Sequence, residues 1–158
     1  MSTESCDECG FEIEGGREGC RAYFQNFTAR DFSDPLYFRS HRLFVDAYCL
    51  QHPQDYCRSA KSLWAHLAGM GAILERGASR ATGLPKLHDW LSRNHDIDKP
   101  QIPAMRGTRT VGDLPLQATP EQWSDAVTIW ARDVWGAYHA LQPQTRAWLD
   151  AAVQPRPR

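Results

Sequence analysis

Apolar residues recur along this chain at spacings of three and four, which is typical of amphipathic helices. Leu63, Leu67, Met70 and Leu74 predict a helix from about residue 59 to 76, and Gly77 provides its stop. A second long helix opens at the capping box of residues 119–122, and its stripe consists of Trp123, Val127, Trp130, Val134, Tyr138 and Leu141. Shorter helices are predicted at about residues 20–32, 85–94 and 145–153. No segment alternates as a strand would.

The segment DPLYFRSHRLFVDAYCLQHP, residues 34–53, predicts a central helix. Asp34 is its N-cap, Pro35 takes the first helical position, and Pro53 ends it. These limits leave roughly 17 helical residues, or about 25 Å. At 100° per residue, one stripe of this helix contains His41, Val45, Tyr48 and His52. A core helix would have Leu or Ile there, so we expect this helix to carry the functional site.

These patterns predict a mainly α protein. We expect a single-domain bundle of five or six helices over residues 1–153, with a knuckle-like metal-binding segment at residues 1–19 and a disordered tail at 154–158. Residues 95–118 contain three of the ten prolines and predict a long irregular loop. Long ordered loops are often functional.

Composition narrows the class of protein. The 158 residues are 42% hydrophobic and 23% charged with a net charge of −1, so no basic footprint for nucleic acid is visible and a nucleic-acid-binding regulator is disfavoured. No apolar run approaches the roughly 18 residues of a membrane span. The start MSTESCDECG lacks the basic and apolar regions of a signal peptide, so we expect a cytoplasmic protein. Its five cysteines are then thiols rather than disulfides.

The clearest chemical motif is Cys6-Asp7-Glu8-Cys9-Gly10. Two thiolates two residues apart can bind one ion while the glycine lets the backbone turn beneath it, as in a zinc knuckle. A redox C-x-x-C normally opens a helix after a strand, and this motif lies in a glycine-rich segment instead. Two surface thiols without a role are the simplest alternative.

Helix geometry limits the remaining ligands. His41 and His52 are about 16 Å apart along an unbroken helix, so only one of them can join a single zinc site. If the first two helices form an antiparallel hairpin, Cys20 lies level with about Asp46, within a turn or two of His52. We therefore predict Zn²⁺ bound by Cys6, Cys9, Cys20 and His52. The fourth ligand stays open, with Cys49 and His41 as substitutes for His52.

Asp46, His41 and His66 are candidates for catalysis. Asp46 follows Arg42 by four residues, so the simplest interpretation is a surface ion pair. Alternatively, Asp46 lies inside the bundle and orients His41 or His66, or binds a second ion. His66 lies on a core-facing helix, where a hydrogen-bonded core histidine is the plainer interpretation.

The remaining chemical groups show no clustering. We expect His88, His95 and His139 at the surface and Cys57 to be structural. The loop Arg106–Thr110 offers two guanidiniums and backbone N–H groups to an anion, or else simply crosses a surface.

Several of these motifs occur together. CxxCG near the start, GC ten residues on, HRLFVDAYCLQHP, the AHL of the following helix and RGTRTVGDL resemble a family of small bacterial proteins of unknown function. That family begins with the same CxxCG and carries an HRLxVDAYxxQHP helix. The likeness extends from Cys6 to about Trp148, and the positions that match are Cys6, Cys9, Cys20, His41, Asp46, His52 and His66. Cys49 and Cys57 are not part of the pattern. The resemblance implies a metal-bearing helical domain and names no reaction.

Two functions remain to be distinguished. In the first, the zinc is structural and the protein binds an unknown protein partner or small-molecule ligand. In the second, the protein is a metal-dependent enzyme, hydrolase-like or transferase-like, in which His41, Asp46 and His66 supply acid–base chemistry. Three cysteines favour a closed structural site. Titratable groups converging in a pocket would favour the enzyme. A homodimer is a further possibility, because tryptophan-rich helices can bury a dimer seam.

Overall fold

The computed structural model describes residues 2–78, 83–93 and 96–153. The predicted tail at 154–158, His95 and the predicted end of the fourth helix at Asn94 lie outside these residues.

The described part of the chain is mainly helical, as predicted. It begins with a small antiparallel hairpin of β1 (Thr3–Ser5) and β2 (Glu12–Glu14). The helices that follow are α1 (Gly16–Ser33), α2 (Pro35–Phe38), α3 (His41–Gln51), α4 (Pro53–Tyr56), α5 (Ala60–Arg76), α6 (Leu84–Arg93), α7 (Pro120–Ala137) and α8 (Gln142–Val153). Short 3-10 turns occur at Val111–Asp113 and His139–Leu141. The expectation that no strand is present was wrong, because strands of three mostly exposed residues are too short to alternate.

The predicted central helix is two helices. Asp34 is the N-cap as expected, and its Oδ1 accepts from the Leu36 N–H at 2.8 Å, but α2 ends after one turn. Ser40 has φ −94° and ψ −1°, in the bridge region between helical and extended backbone, which interrupts the helical hydrogen bonds before α3 begins. Pro53 does end α3, and it then opens the short helix α4.

Most helix boundaries follow local signals. The Thr119 side chain accepts from Gln122 N–H and the Gln122 side chain accepts from Thr119 N–H, which completes the predicted capping box of α7. Gly77 has φ +60° and ends α5 as predicted. α1 begins four residues before the predicted start, at Gly16. A Cβ on Gly19 would collide with the backbone carbonyl of Glu14, so only glycine lets α1 pack this closely on β2.

α3 lies at the centre of the bundle and packs on α5 and α7. Eight of its eleven residues are buried, polar Asp46 and Gln51 among them. Phe24 of α1 stacks on Tyr48 with ring centroids 3.8 Å apart, and also on Phe44 at 5.0 Å. These contacts dock α1 on the face of α3 that leads to His52.

Candidate metal centre and histidine cleft

Four predicted metal ligands lie together at the carboxyl end of α3. One ligand atom from each of Cys6, Cys9, Cys20 and His52 lies within 4.8 Å of all the others. Cys9 Sγ is 3.8 Å from Cys20 Sγ, and His52 Nε2 is 3.6 Å from Cys6 Sγ and 3.4 Å from Cys20 Sγ. A tetrahedron with bonds of about 2.3 Å to sulfur and 2.0 Å to nitrogen has edges of about 3.8 and 3.5 Å. The set could therefore hold a metal ion.

Three separate elements supply these groups. Cys6 and Cys9 lie in the turn of the hairpin, where Cys6 N–H donates to Phe11 O at 2.9 Å and Gly10 N–H donates to Cys6 O at 2.8 Å. Cys20 comes from the first turns of α1, directly after Gly19, and His52 is the residue that ends α3. An ion at this point would join the N-terminal hairpin to two helices of the bundle.

Neighbouring groups orient the His52 ring. Its Nδ1–H donates to the Tyr48 carbonyl at 2.8 Å, which directs Nε2 towards the three sulfurs. The ring also stacks on Tyr48, with centroids 3.9 Å apart, and the Tyr48 hydroxyl lies 3.7 Å from Cys20 Sγ. The predicted stripe thus brings Tyr48 and His52 together. Asp46, which was expected level with Cys20, is not part of this cluster. Cys20 of α1 lies beside His52 instead, one to two turns of α3 beyond Asp46.

Two groups of the cluster, Cys9 and His52, have raised pKa values. The hydrogen bond with Cys20 and burial raise the pKa of the Cys9 thiol to about 12. Burial lowers the pKa of His52, but hydrogen bonds with Cys6 and Cys9 outweigh it and raise that pKa to about 9. The Cys9 thiol therefore keeps its proton at neutral pH unless a cation at the cluster replaces it.

The other two thiols lie outside this cluster. Cys49, the proposed substitute ligand, and Cys57 are both buried, and Cys57 Sγ donates to the Cys49 carbonyl at 3.5 Å. Burial raises the pKa of both thiols, that of Cys57 to about 12, which is typical of an unreactive structural cysteine. His41, the other substitute, lies at the opposite end of α3.

Sequence reasoning did not predict the role of Gln51, which connects the long loop to the core. Its side chain is almost fully buried, and Nε2 donates to the carbonyls of Arg106 at 3.0 Å and Arg109 at 2.7 Å. Trp130 Nε1–H donates to Gln51 Oε1 at 3.1 Å. Arg106 in turn donates to the carbonyls of Gln51 and Glu8, so the loop also holds the hairpin. The sequence feature that could have identified Gln51 is its position as a polar residue within the run VDAYCLQHP.

The loop Arg106–Thr110 binds an anion from its own chain. The Asp133 carboxylate accepts from the N–H groups of Thr108 at 2.7 Å and Arg109 at 2.8 Å. The Arg106 guanidinium donates to backbone carbonyls instead. The loop amides that could have met an external anion are therefore engaged by Asp133.

The remaining site candidates line a cleft in the other half of α3. Asp46 is fully buried and accepts from His66 Nδ1–H and from Arg42 Nε–H, both at 2.8 Å. The predicted Arg42–Asp46 pair therefore exists, but its carboxylate is fully buried, while the Arg42 side chain is 41% exposed. A Cβ on Gly69 of α5 would collide with both of its members, so glycine makes room for this contact.

His41 has a carboxylate of its own. Its Nδ1–H donates at 3.2 Å to buried Asp31, a residue that the sequence did not single out. The His41 ring is stacked on Phe38 and meets Phe32 edge-on, with centroids 4.8 Å apart in both pairs. Asp46 thus orients His66 and not His41.

The cleft has a volume of about 700 Å³, and His41, Asp46 and His66 line it together. The side chains of His41 and His66 are 17% and 20% exposed, so His66 is not the enclosed core histidine of the plainer interpretation. Small-molecule sites commonly measure about 300–1,000 Å³. His88 and His139 are exposed and lie outside the cleft, as expected.

Within the described residues, no helix combines the length and apolarity needed to cross a membrane.

Comparisons with known proteins give one match. Neither a curated protein nor a solved structure is significantly similar to this chain. A model of the family of unknown function DUF5946 matches residues 4–139, which include the whole cysteine–histidine cluster and both histidine–carboxylate pairs. The chain therefore belongs to the family of unknown function DUF5946.

Proposed function

We propose that this protein binds a structural zinc ion through Cys6, Cys9, Cys20 and His52, and that its function is to bind a small ligand in the cleft lined by His41 and His66. The observation that carries the proposal is the convergence of four ligand atoms within 4.8 Å of one another, beside a separate concave site.

Zinc is the ion that best suits the donor set. Three thiolates and one imidazole are soft and borderline ligands that favour zinc over magnesium or calcium. Four protein ligands complete a tetrahedron and leave no position for water, which is the arrangement of a structural rather than a catalytic zinc site. Its role is to attach the hairpin to α1 and α3.

The shape of the cleft favours a small ligand over a protein partner. It is concave, with a volume of about 700 Å³, and it combines apolar walls with a few oriented polar groups. His41 and Asp46 come from α3 and His66 comes from α5, and the hydrogen bonds of both histidines to buried carboxylates hold them in place without a ligand.

Elemental analysis tests the zinc site. Protein purified without added metal should contain one zinc per chain, and Cys6→Ser should lose it. His41→Ala and the buried-thiol control Cys57→Ser should keep it, because neither residue belongs to the cluster. Absence of metal from every preparation, or its loss in His41→Ala, would contradict the proposal.

Acid–base catalysis is the second candidate function, and the two histidine–carboxylate pairs favour it. In each pair the carboxylate accepts from Nδ1–H, which leaves Nε2 as the proton acceptor. His66 would act as the base and Asp46 as the residue that positions it. Both oxygens of Asp46 already accept hydrogen bonds, from His66 and Arg42, which supports a positioning role for Asp46.

A chromogenic ester tests this alternative. p-Nitrophenyl acetate hydrolysis above the buffer rate should fall by about 10²-fold or more in His66→Ala, the loss expected for a general base. His88→Ala, an exposed histidine outside the cleft, should retain it. Equal rates in the two variants would exclude this role for His66.

A further inference from the structure

Asp46 offers no exposed oxygen to a ligand in the cleft, because its side chain is 0% exposed and both of its oxygens already accept hydrogen bonds. Oδ1 accepts from His66 and Oδ2 accepts from Arg42. Asp46 is also the one acidic residue among the described residues that line the cleft. The negative charge of the site is therefore neutralised within the protein, by the ion pair of Asp46 with Arg42.

The groups that remain available are hydrogen-bond donors and cations. Arg42 uses Nε on Asp46 and Nη2 on the Ala65 carbonyl, and within the described chain its Nη1 has no acceptor. Arg39 lines the same cleft, is exposed, and has neither an ion-pair partner nor an acceptor within residues 2–78, 83–93 and 96–153. Two guanidiniums with free N–H groups attract an anion and repel a metal cation.

The walls of the cleft add an apolar requirement. Phe32 is 68% exposed although its ring touches Phe38 and His41, so a large aromatic surface lies open at the cleft. Leu84 and Ile73 belong to the same lining. Exposed aromatic surface beside a concave site stabilises a ligand that covers it.

We propose that the cleft binds a small organic anion with an apolar body, its charged group on Arg39 and Arg42 and its body against Phe32 and Phe38. This inference rests on the proposed function, in which the cleft is the ligand site. His66 Nε2 faces the same space as an acceptor, so a ligand that also carries a hydroxyl or N–H group would gain one further hydrogen bond.

A fluorescence titration with 8-anilinonaphthalene-1-sulfonate, an aromatic anion, tests the proposal on the full, zinc-loaded chain. Competition then uses three unlabelled probes: 3-phenylpropionate, its neutral analogue 3-phenylpropan-1-ol, and inorganic phosphate. We expect 3-phenylpropionate to displace the dye at a concentration about tenfold or more below that of the alcohol, which is the effect of one charge-assisted hydrogen bond. Phosphate should displace it poorly, since it has no apolar body.

Two variants locate the charge. Arg39→Ala should weaken binding of the dye and of 3-phenylpropionate about tenfold and leave the alcohol unchanged. Arg132→Ala, an exposed arginine of α7 outside the cleft, should change neither. Both residues are exposed, so both proteins should fold, and zinc content with circular dichroism checks that they do.

The outcomes separate the ligand class from the site itself. Ser124→Trp places a large ring in the cleft lining and should abolish saturable binding of every probe. If binding survives in Ser124→Trp, or is absent from the unmodified protein, the cleft is not the ligand site and the proposed function fails. If Ser124→Trp abolishes binding but the alcohol competes as well as 3-phenylpropionate, the cleft is the ligand site, and the proposal that its ligand is an anion is overturned. If phosphate competes as well as 3-phenylpropionate, the proposal that the ligand has an apolar body is overturned.

Discussion

The two ends of α3 use histidine in opposite ways. At the carboxyl end, His52 directs Nε2 at three sulfurs, and all the ligand atoms of the cluster converge on one point. At the amino end, His41 of α3 and His66 of the neighbouring α5 direct Nδ1 at buried carboxylates and line a cleft of about 700 Å³.

This difference separates two kinds of site. Groups that converge on a point within bonding distance specify an ion, whereas groups spaced around an open volume specify a molecule. Both sites include residues of α3 or its C-cap, because α3 is buried along most of its length and its polar side chains must find partners inside the protein.

Removal of the proposed zinc ion should have the largest effect on one site alone. A chelator should lower the free energy of unfolding by about 4 kcal/mol, the linkage expected when free zinc exceeds its dissociation constant a thousandfold. Urea unfolding measures the loss, and hydrogen exchange should show it first in the hairpin and α1. The cleft helices α5 and α7 should keep their protection. An unchanged unfolding curve after verified metal removal would contradict a structural ion.

Asp46→Ala should disrupt the polar contacts of the cleft and leave the metal cluster intact. It leaves the Arg42 guanidinium and His66 without their shared acceptor, which should cost about 3 kcal/mol in chemical denaturation. Zinc content should stay at one per chain. Asp125→Ala, an exposed aspartate of α7, is the matched control and should change stability by no more than about 0.5 kcal/mol.

Gln51→Leu should weaken the connection between the loop and the core while both sites persist. Trp130 Nε1–H and the carbonyls of Arg106 and Arg109 lose their partner, at a cost of about 2 kcal/mol. Urea unfolding followed by tryptophan fluorescence measures this cost. The same substitution at exposed Gln117 should have almost no effect.

Gly69→Ala and Gly136→Ala should have opposite signs. At Gly69 the new Cβ collides with Arg42 and Asp46, so unfolding free energy should fall by about 1–2 kcal/mol despite the better helix propensity of alanine. At Gly136 in α7 a Cβ meets nothing within 4 Å, so stability should rise by about 0.5–1 kcal/mol. Stabilisation by Gly69→Ala would mean that the Arg42–Asp46 contact adjusts freely.

Glu75→Gln should have the smallest effect, since Glu75 belongs to neither site. Hydrogen bonds from Arg146 and Trp135 hold the Glu75 pKa below its ordinary value of 4.5. Because the folded-state pKa is depressed, the stabilisation is present above about pH 4.5 and disappears as pH falls through the folded value. Calorimetry should show a midpoint lower by no more than about 2 °C at pH 7 in the variant, and a smaller difference at pH 3. A larger difference at pH 3 than at pH 7 would contradict a Glu75 pKa that is lower in the folded protein.

The sequence placed one or more residues of each candidate site on the central helix, but the prediction that this helix is unbroken was wrong. The register argument put Cys20 level with Asp46, whereas stacking of Phe24 on Tyr48 puts Cys20 beside His52. Hairpin register depends on side-chain packing between helices, which periodicity does not report. Asp31 was missed as the partner of His41 for the same reason, because ten residues and a helix break separate the two.

By itself, the sequence determined the features that depend on neighbouring residues: the N-cap at Asp34, the capping box at Thr119, the stop at Gly77 and the candidate thiol pair Cys6–Cys9. Only the tertiary structure decided that His52 rather than His41 meets the thiols, and that Asp46 pairs with Arg42 and His66 inside the bundle. The physical reason is range. Caps and stops are stabilised within a single turn of the chain, whereas each site is assembled from helices whose relative placement is set by the packing of the whole core.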